Sequence, residues 1–299
     1  MNLNTGKTKI SRIEFIGCMA IFGTIGLFRR LVPLSSEAVA FLRAFLAACL
    51  IGIYFIVKKE KLNLKSLGKS LWLIVLSGAA MGFNWVLLFE AYNYTTISIA
   101  TLSYYFAPVL VIVFSPVLLK EKLTLKQICC FIAATLGLVL IIGVSGKGGS
   151  SNITGIMYGL GAAVLYASVI LLNKFLGEIP GIHRTFLQFI VCIIVLFPYV
   201  MLKGGFHFEL LDTQSTIIML VIGFFLTGIP YCLYFSSMSY VSGQELSILS
   251  YIDPLVACIV SVLFLNESLS IMQVIGGVIL IGATLFNELN IGTKPEKNK

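Results

Sequence analysis

The apolar positions of this chain fall into ten long runs, each closed by a short polar or basic stretch. They cover approximately residues 12–30, 36–57, 70–91, 97–119, 125–144, 153–174, 182–202, 215–236, 244–265 and 270–289, numbered here as spans 1 to 10. A hydrocarbon layer of about 30 Å takes roughly 20 apolar residues as a helix, so each run has the length of one crossing. The alternation of a barrel strand is absent, and an open strand would leave backbone groups unpaired in lipid. The pattern predicts an all-α integral membrane protein with ten transmembrane helices.

One interruption differs from the rest. Residues 145–154 (SGKGGSSNIT) are polar and rich in Gly and Ser, and they divide the chain into five spans and five spans. The expected organisation is a first five-helix repeat over 12–144, a linker over 145–154, a second repeat over 155–289 and a polar, basic tail over 290–299.

The two halves align. At a constant offset of 146 residues, Gly82 falls on Gly228, Phe89 on Phe235, Tyr94 on Tyr240, Tyr105 on Tyr251, Pro108 on Pro254, Ser115 on Ser261, Glu121 on Glu267 and Gln127 on Gln273. Arg43-Ala44-Phe45-Leu46 pairs with Arg184-Thr185-Phe186-Leu187 at an offset of 141. An odd number of spans per half sets the second half in the membrane upside down. Inverted repeats are a physical basis for alternating access, because two half-structures can exchange conformations around a midplane site.

Composition and charge agree with a membrane setting. Hydrophobic residues make up 58% of the 299 and charged residues 11%, with a mean hydropathy of +0.99. That leaves too few polar side chains to cover a soluble fold. The net charge of +8 is carried by Lys and Arg clustered between the apolar runs, not on one continuous face, which argues against nucleic acid as a partner. With the N-terminus in the cytoplasm, sixteen of the 21 basic residues fall in cytoplasmic segments and four outside, with Arg43 inside a span. The positive-inside rule then predicts both termini in the cytoplasm of a multi-pass plasma-membrane protein. The first run, preceded by Lys7, Lys9 and Arg12 and followed by Arg29 and Arg30, is expected to be an uncleaved span. The seven cysteines lie within apolar runs without metal-site spacing and are expected to pack as small apolar groups.

Particular motifs carry a resemblance. Phe22-Gly23-Thr24 in span 1, Arg43 in span 2, Pro108 with Glu121-Lys122-Leu123 thirteen residues on, and Pro254 with Glu267-Ser268-Leu269 together resemble the drug/metabolite transporter superfamily, EamA type. The resemblance covers residues 12–289. It implies a ten-helix fold, both termini cytoplasmic, and a central cavity lined mainly by spans 1, 3, 4, 6, 8 and 9. Members carry amino acids, other metabolites, nucleotide-type solutes or drugs, many as exporters. The chain departs from the family's pattern at Phe22, where Trp is common, and at Asp253, where Glu is common.

Ionisable groups inside a bilayer cost about 2.5–3.5 kcal/mol each on insertion scales, so those present are candidates for function. Glu14 lies near the cytoplasmic end of span 1 and is expected to reach the interface. Arg43 and Glu90 fall in the outer half of spans 2 and 3, which makes an Arg43–Glu90 pair one expectation, as a helix tie or as a gate. Asp253 precedes Pro254, and a proline frees a carbonyl one turn back and bends its helix. Its mate is Ala107, so this carboxylate breaks the symmetry; the alternative is a pair with Arg184. Pro108 and Pro254 are the expected helix breaks. Asn84, Trp85, Tyr104, Tyr105, Tyr231, Tyr234, Tyr251 and Asp253 are candidates for a cavity that holds a small organic solute, since aromatic rings with one polar tip suit such a site. Arg43, Glu90 and Asp253 are candidates for gating or ion coupling. Gly155, Gly159 and Ala163 in span 6 and Ala133 and Gly137 in span 5 form small-residue ridges for close packing.

The sequence points to a secondary transporter of a small organic solute, an amino acid or related metabolite, working by alternating access. Proton coupling and simple exchange are both open, as is the oligomeric state. No nucleotide-binding motif is present and no cofactor or metal is expected. An intramembrane enzyme fits poorly: Asp253 is the single Asp within a span, and His183 and His207 fall on opposite sides. A non-transporting sensor or scaffold is the other alternative.

Overall fold

The computed structural model describes residues 2–60, 62, 68–118, 124–145, 150–176, 179–238 and 249–288. Among these residues the chain is helical and contains no strand. Tyr240, Glu121, Lys122, residues 146–149 of the expected linker and the tail 290–299 lie outside them.

Spans 1 to 3 are α1 (Asn2–Arg30), α2 (Ser36–Lys58) and α3 (Leu71–Tyr94). Span 4 is split into α4 (Ile97–Tyr104) and α5 (Ala107–Leu118). Spans 5, 6 and 7 are α6 (Leu125–Ser145), α7 (Ser150–Lys174) and α8 (Gly181–Leu202). Span 8 runs as α9 (Thr213–Leu220), a π-helical segment (Val221–Gly228) and α10 (Ile229–Met238). Spans 9 and 10 are α11 (Ile252–Leu265) and α12 (Ile271–Glu288). Among the described residues seven helical stretches are long and apolar enough to cross a membrane, and three shorter apolar ones bring the total to ten. The shorter ones fall in spans 5, 9 and 10, over Leu125–Ile141, Ile252–Leu265 and Ile271–Phe286.

Local chemistry sets several of the ends. Ser35 and Thr96 cap α2 and α4 by accepting from Ala38 N and Ile99 N. Asp212 and Ser215 form a capping box at the start of α9. Helix ends lie just upstream of Pro108 and Pro254. Tyr105 (φ −72°, ψ 8°) ends α4, and Tyr251 (φ −71°, ψ −7°) opens α11, each three residues before its proline and in nearly the same conformation. Proline lacks the N–H that would continue the ladder, and the chain relaxes just upstream.

The helices pack in a closed set of pairs. α3 lies against α7 and α8, α1 against α10 and α11, α2 against α8 and the π segment, α7 against α4 and α5, and α6 against α12. The small-residue ridges are sites of close approach. A Cβ on Gly155 would stand 2.6 Å from Thr95, and one on Gly159 would stand 3.0 Å from Ser103, so α7 meets α4 nearly backbone to backbone. Gly137 of α6 and Gly276 of α12 face one another, where a Cβ on either would come within 2.6 Å of the other's carbonyl oxygen.

Phe89, Phe189, Ile51 and Ile222 are fully buried in the larger core, between α2, α3, α8 and the π segment. The outside is as apolar as the inside: Ile56, Leu125, Leu202, Leu263, Phe264 and Ile271 are all exposed. Such a surface is stable against lipid and not against water. The chain is a multi-pass membrane protein.

Candidate functional site

Arg43 projects from α2, two turns into the helix, into the larger core. Its Nε donates to Thr227 Oγ1 at 2.8 Å, and its guanidinium carbon lies 4.1 Å from the centre of the Trp85 ring. Phe89, one turn along α3, stands 5.9 Å away. Thr227 belongs to the π segment, and its hydroxyl donates to the Ile222 carbonyl at 2.8 Å. The widened turn brings this hydroxyl to Arg43.

Asp253 enters from the first turn of α11. Its Oδ2 accepts from the Tyr105 hydroxyl at 2.6 Å, across the two helix breaks. Asp253 also lies within electrostatic reach of Arg43. Rings fill the space around these two groups. Tyr104 stacks on Tyr166 at 5.0 Å and meets Tyr105 edge-on at 5.5 Å. Tyr231 lies 5.2 Å from both Phe22 and Phe189, and Phe189 lies 5.7 Å from Trp85. The centre therefore holds one cation, one carboxylate and a wall of tyrosines, drawn from both halves of the sequence.

The sequence candidates divide accordingly. Arg43, Trp85, Tyr104, Tyr105, Tyr231 and Asp253 come together. Tyr251 stands 6.3 Å from Tyr105 at the edge of this group. Tyr234 lies further along α10, against Phe15 at 5.2 Å. Asn84, a cavity candidate, is buried, and its side-chain amide donates to the Ala162 carbonyl at 2.6 Å, where it ties α3 to α7. Glu14 is half-buried near Cys18.

The expected Arg43–Glu90 pair is not formed. Glu90 Oε2 instead accepts from Ser36 Oγ at 2.7 Å and from Asn93 at 3.1 Å. Ser36 precedes Arg43 by two turns of α2, about 10 Å along the axis, so the two side chains work at different depths. Arg43 meets the face of α3 that carries Trp85 and Phe89, and Glu90 points about 100° away from Phe89. An Asp253–Arg184 pair is not formed either, since Arg184 donates to the carbonyls of Asn173 and Leu176.

Glu90 belongs to a second polar group at the end of the bundle where α1 stops. A cavity of about 720 Å³ opens there, lined by Arg29, Ser36, Glu90, Asn93 and Lys203 among others. Beside it, the Glu267 side chain accepts from Ile97 N at 3.0 Å and from Ser98 N at 3.4 Å, and pairs with Arg30 at 3.0 Å. Arg30 reaches the Thr95 carbonyl as well, and Ser98 and Ser261 share a hydrogen bond just below. In the sequence Glu267 stands out through the repeat and the family motif, not as a site residue. Its position after α11, next to the cap of α4, was the missed signal. Thr227, Tyr166 and Phe189 were missed entirely.

Fold and site together define a polytopic helical membrane protein with a charged, aromatic centre. The sequence profile of the EamA-like transporter family matches residues 11–143 and 153–288. The chain belongs to that family. It is 29% identical over 287 residues to the uncharacterized transporter YxxF of Bacillus subtilis (strain 168), covering 93% of this chain and 91% of that one. It is also 29% identical to the protein PecM of Dickeya dadantii (strain 3937), over 86% of each chain, and 28% identical to an uncharacterized transporter of Archaeoglobus fulgidus, over 89% and 91%. A protein of known crystal structure shares the fold with a TM-score of 0.63 at 14% identity, over 92% of this chain and 97% of the other.

Proposed function

We propose that this chain is a secondary transporter of a small organic solute, an amino acid or a related metabolite, that works by alternating access between inverted halves. The carrying observation is the central group of Arg43, Asp253 and Tyr105, to which spans 2, 4 and 9 contribute, so that movement of one half against the other must remodel it.

The pairing of the spans supports the inverted repeat. Shifting every span by five turns the main contacts into one another: span 3 on 6 becomes 8 on 1, span 1 on 9 becomes 6 on 4, and span 3 on 7 becomes 8 on 2. Spans 2 with 7 and 5 with 10 map onto themselves. With both termini in the plasma-membrane cytoplasm, the Arg30–Glu267 end faces outside, and its closure sets the outer gate. Asp253 and Glu90 are then the candidate carboxylates for proton coupling.

The experiment is flux of amino acids, amines and nucleosides into proteoliposomes, with and without an imposed pH gradient. Saturable flux is expected. Full gradient-driven flux in both Asp253→Asn and Glu90→Gln would rule out carboxylate coupling, and no flux of any of these solutes would rule out transport.

A further inference from the structure

Arg43 holds most of its donors unspent at the centre of the fold. A guanidinium carries five N–H donors and stays charged at any physiological pH. Among the described residues only Nε makes a hydrogen bond, to Thr227. Arg43 is 5% exposed, and among the described residues no hydrogen bond reaches Nη1 or Nη2. The Trp85 ring covers one flat face of the group, but a ring face takes charge and not the in-plane donors. The Nη edge is the edge that grips a carboxylate through two parallel bonds.

The surroundings keep that edge free. The π segment holds Arg43 by its Nε, and π turns occur mostly as single interruptions at functional sites. Thr227 is itself anchored to Ile222, so the hydroxyl is a fixed post. Three of the protein's carboxylates in the described spans and their ends are engaged elsewhere. Asp253 Oδ2 is held by Tyr105, Glu90 by Ser36 and Asn93, and Glu267 by Arg30 and the α4 cap. A buried cation with an open fork, and a carboxylate within electrostatic reach but tied to a tyrosine, form two separated poles.

We infer that the Nη edge of Arg43 receives the carboxylate of the transported solute, and that Asp253, presented by Tyr105, receives its amine. The solute class is a small zwitterion of the α-amino acid type, oriented with its acid toward span 2 and its amine toward span 9. Tyr104, Tyr166, Tyr231 and Phe189 supply ring faces for the remainder. This assignment rests on the transporter reading above and gives it a chemical class and a direction of binding.

The test is a ligand series on the intact protein in detergent, read as thermal stabilisation, together with flux in proteoliposomes. The probes are the proteinogenic L-amino acids. The one that stabilises most is compared with its amide, its decarboxylated amine and its deaminated acid. The amide and the amine are expected to bind at least about tenfold more weakly than the amino acid. Arg43→Lys keeps the charge and loses the fork, and is expected to raise the flux KM by a similar factor in protein that still elutes as a single folded species. An amide or amine that binds as tightly as the amino acid overturns the assignment, and does so on the unmodified protein even where Arg43→Lys fails to fold. Flux confined to amines or nucleosides overturns it too, while the transporter reading stands. No stabilisation and no flux with any of the three classes overturns both.

Discussion

The Tyr105 hydroxyl donates to Asp253 at 2.6 Å, so the residue at one helix break holds the carboxylate beside the other. The mates of these two residues in the aligned repeat are Tyr251 and Ala107. Ala107 offers no acceptor side chain, so the bond has no counterpart in the other direction. A scaffold that is symmetric in its backbone breaks becomes asymmetric in chemistry at this pair.

Tyr105→Phe leaves the Asp253 oxygen buried without its donor. Loss of a hydrogen bond to a buried polar group costs about 1–3 kcal/mol. Asp253→Asn removes the charge but keeps an oxygen that accepts from the hydroxyl, so its cost is expected to be smaller. Reversible unfolding in mixed detergent–SDS micelles measures both. Equal losses would mean that the bond contributes nothing beyond packing.

Much of the fold was legible in the sequence for simple physical reasons. Lipid demands long apolar runs, and these mark the ten spans. Proline cannot donate to the helix ladder, and this marks the breaks at Tyr105 and Tyr251. The site was only half legible. Arg43 and Asp253 stand out because charge is rare within spans, but their partners do not. Thr227 lies 184 residues from Arg43, and its neighbourhood is set by a π turn that leaves no mark on apolar periodicity. The Arg43–Glu90 expectation failed because both residues were assigned only to the outer half of the bilayer, which fixes neither the depth each side chain works at nor its direction around the helix. The contacts of Glu267 were not legible because its partners, the amides of Ile97 and Ser98 and the Arg30 guanidinium, lie far away in the sequence.

Asp212 sets a pH dependence at the start of α9. The hydroxyl and amide of Ser215 donate to its carboxylate and hold it below the usual carboxylate range. A carboxyl with a lowered folded-state value stabilises the fold above its unfolded value, and that contribution is lost as pH falls through the folded value. Hydrogen-exchange protection of the first turn of α9 is therefore expected to fall in acid. Asp212→Asn retains a cap without a titration, so its protection should be flat over the same range. A variant that follows the parent's acid loss would assign the effect to another group.

The contact of Gly137 with Gly276 joins spans 5 and 10 with no room for a side chain. Gly137→Ala places a Cβ where the Gly276 carbonyl and the Leu280 backbone already stand, and overpacking of this kind costs about 1–3 kcal/mol. Gly276→Ala meets the same wall from the other side. Because either change forces the same separation of α6 and α12, the double variant is expected to lose less than the two single losses added together. Thermal unfolding of the three variants tests this, and strict additivity would show that the helices yield independently.

Glu267 joins three parts of the bundle that lie far apart in sequence. Its carboxylate takes two backbone N–H groups at the start of α4, where the helix dipole also favours negative charge, and it takes the Arg30 guanidinium at the end of α1. Arg30 adds its bond to the Thr95 carbonyl, so the α3–α4 turn is gripped from both sides. Any state open at this end must release that grip. Glu267→Gln keeps an acceptor for one amide and loses the attraction to Arg30, so it is expected to raise the population of open molecules. In a background with the native cysteines replaced, Ser98→Cys reports on this directly. Ser98 is fully buried beneath the Glu267 contact and bonded to Ser261, so a maleimide reaches a thiol there only through opening. When opening is fast relative to labelling, the rate follows the open population, so Glu267→Gln should label several-fold faster, roughly in proportion to the opening equilibrium. Arg30→Gln should act in the same direction, and the double variant should add little to either. An unchanged labelling rate in both single variants would mean that this end is closed by the packing of α1, α4 and α11 and not by the ion pair.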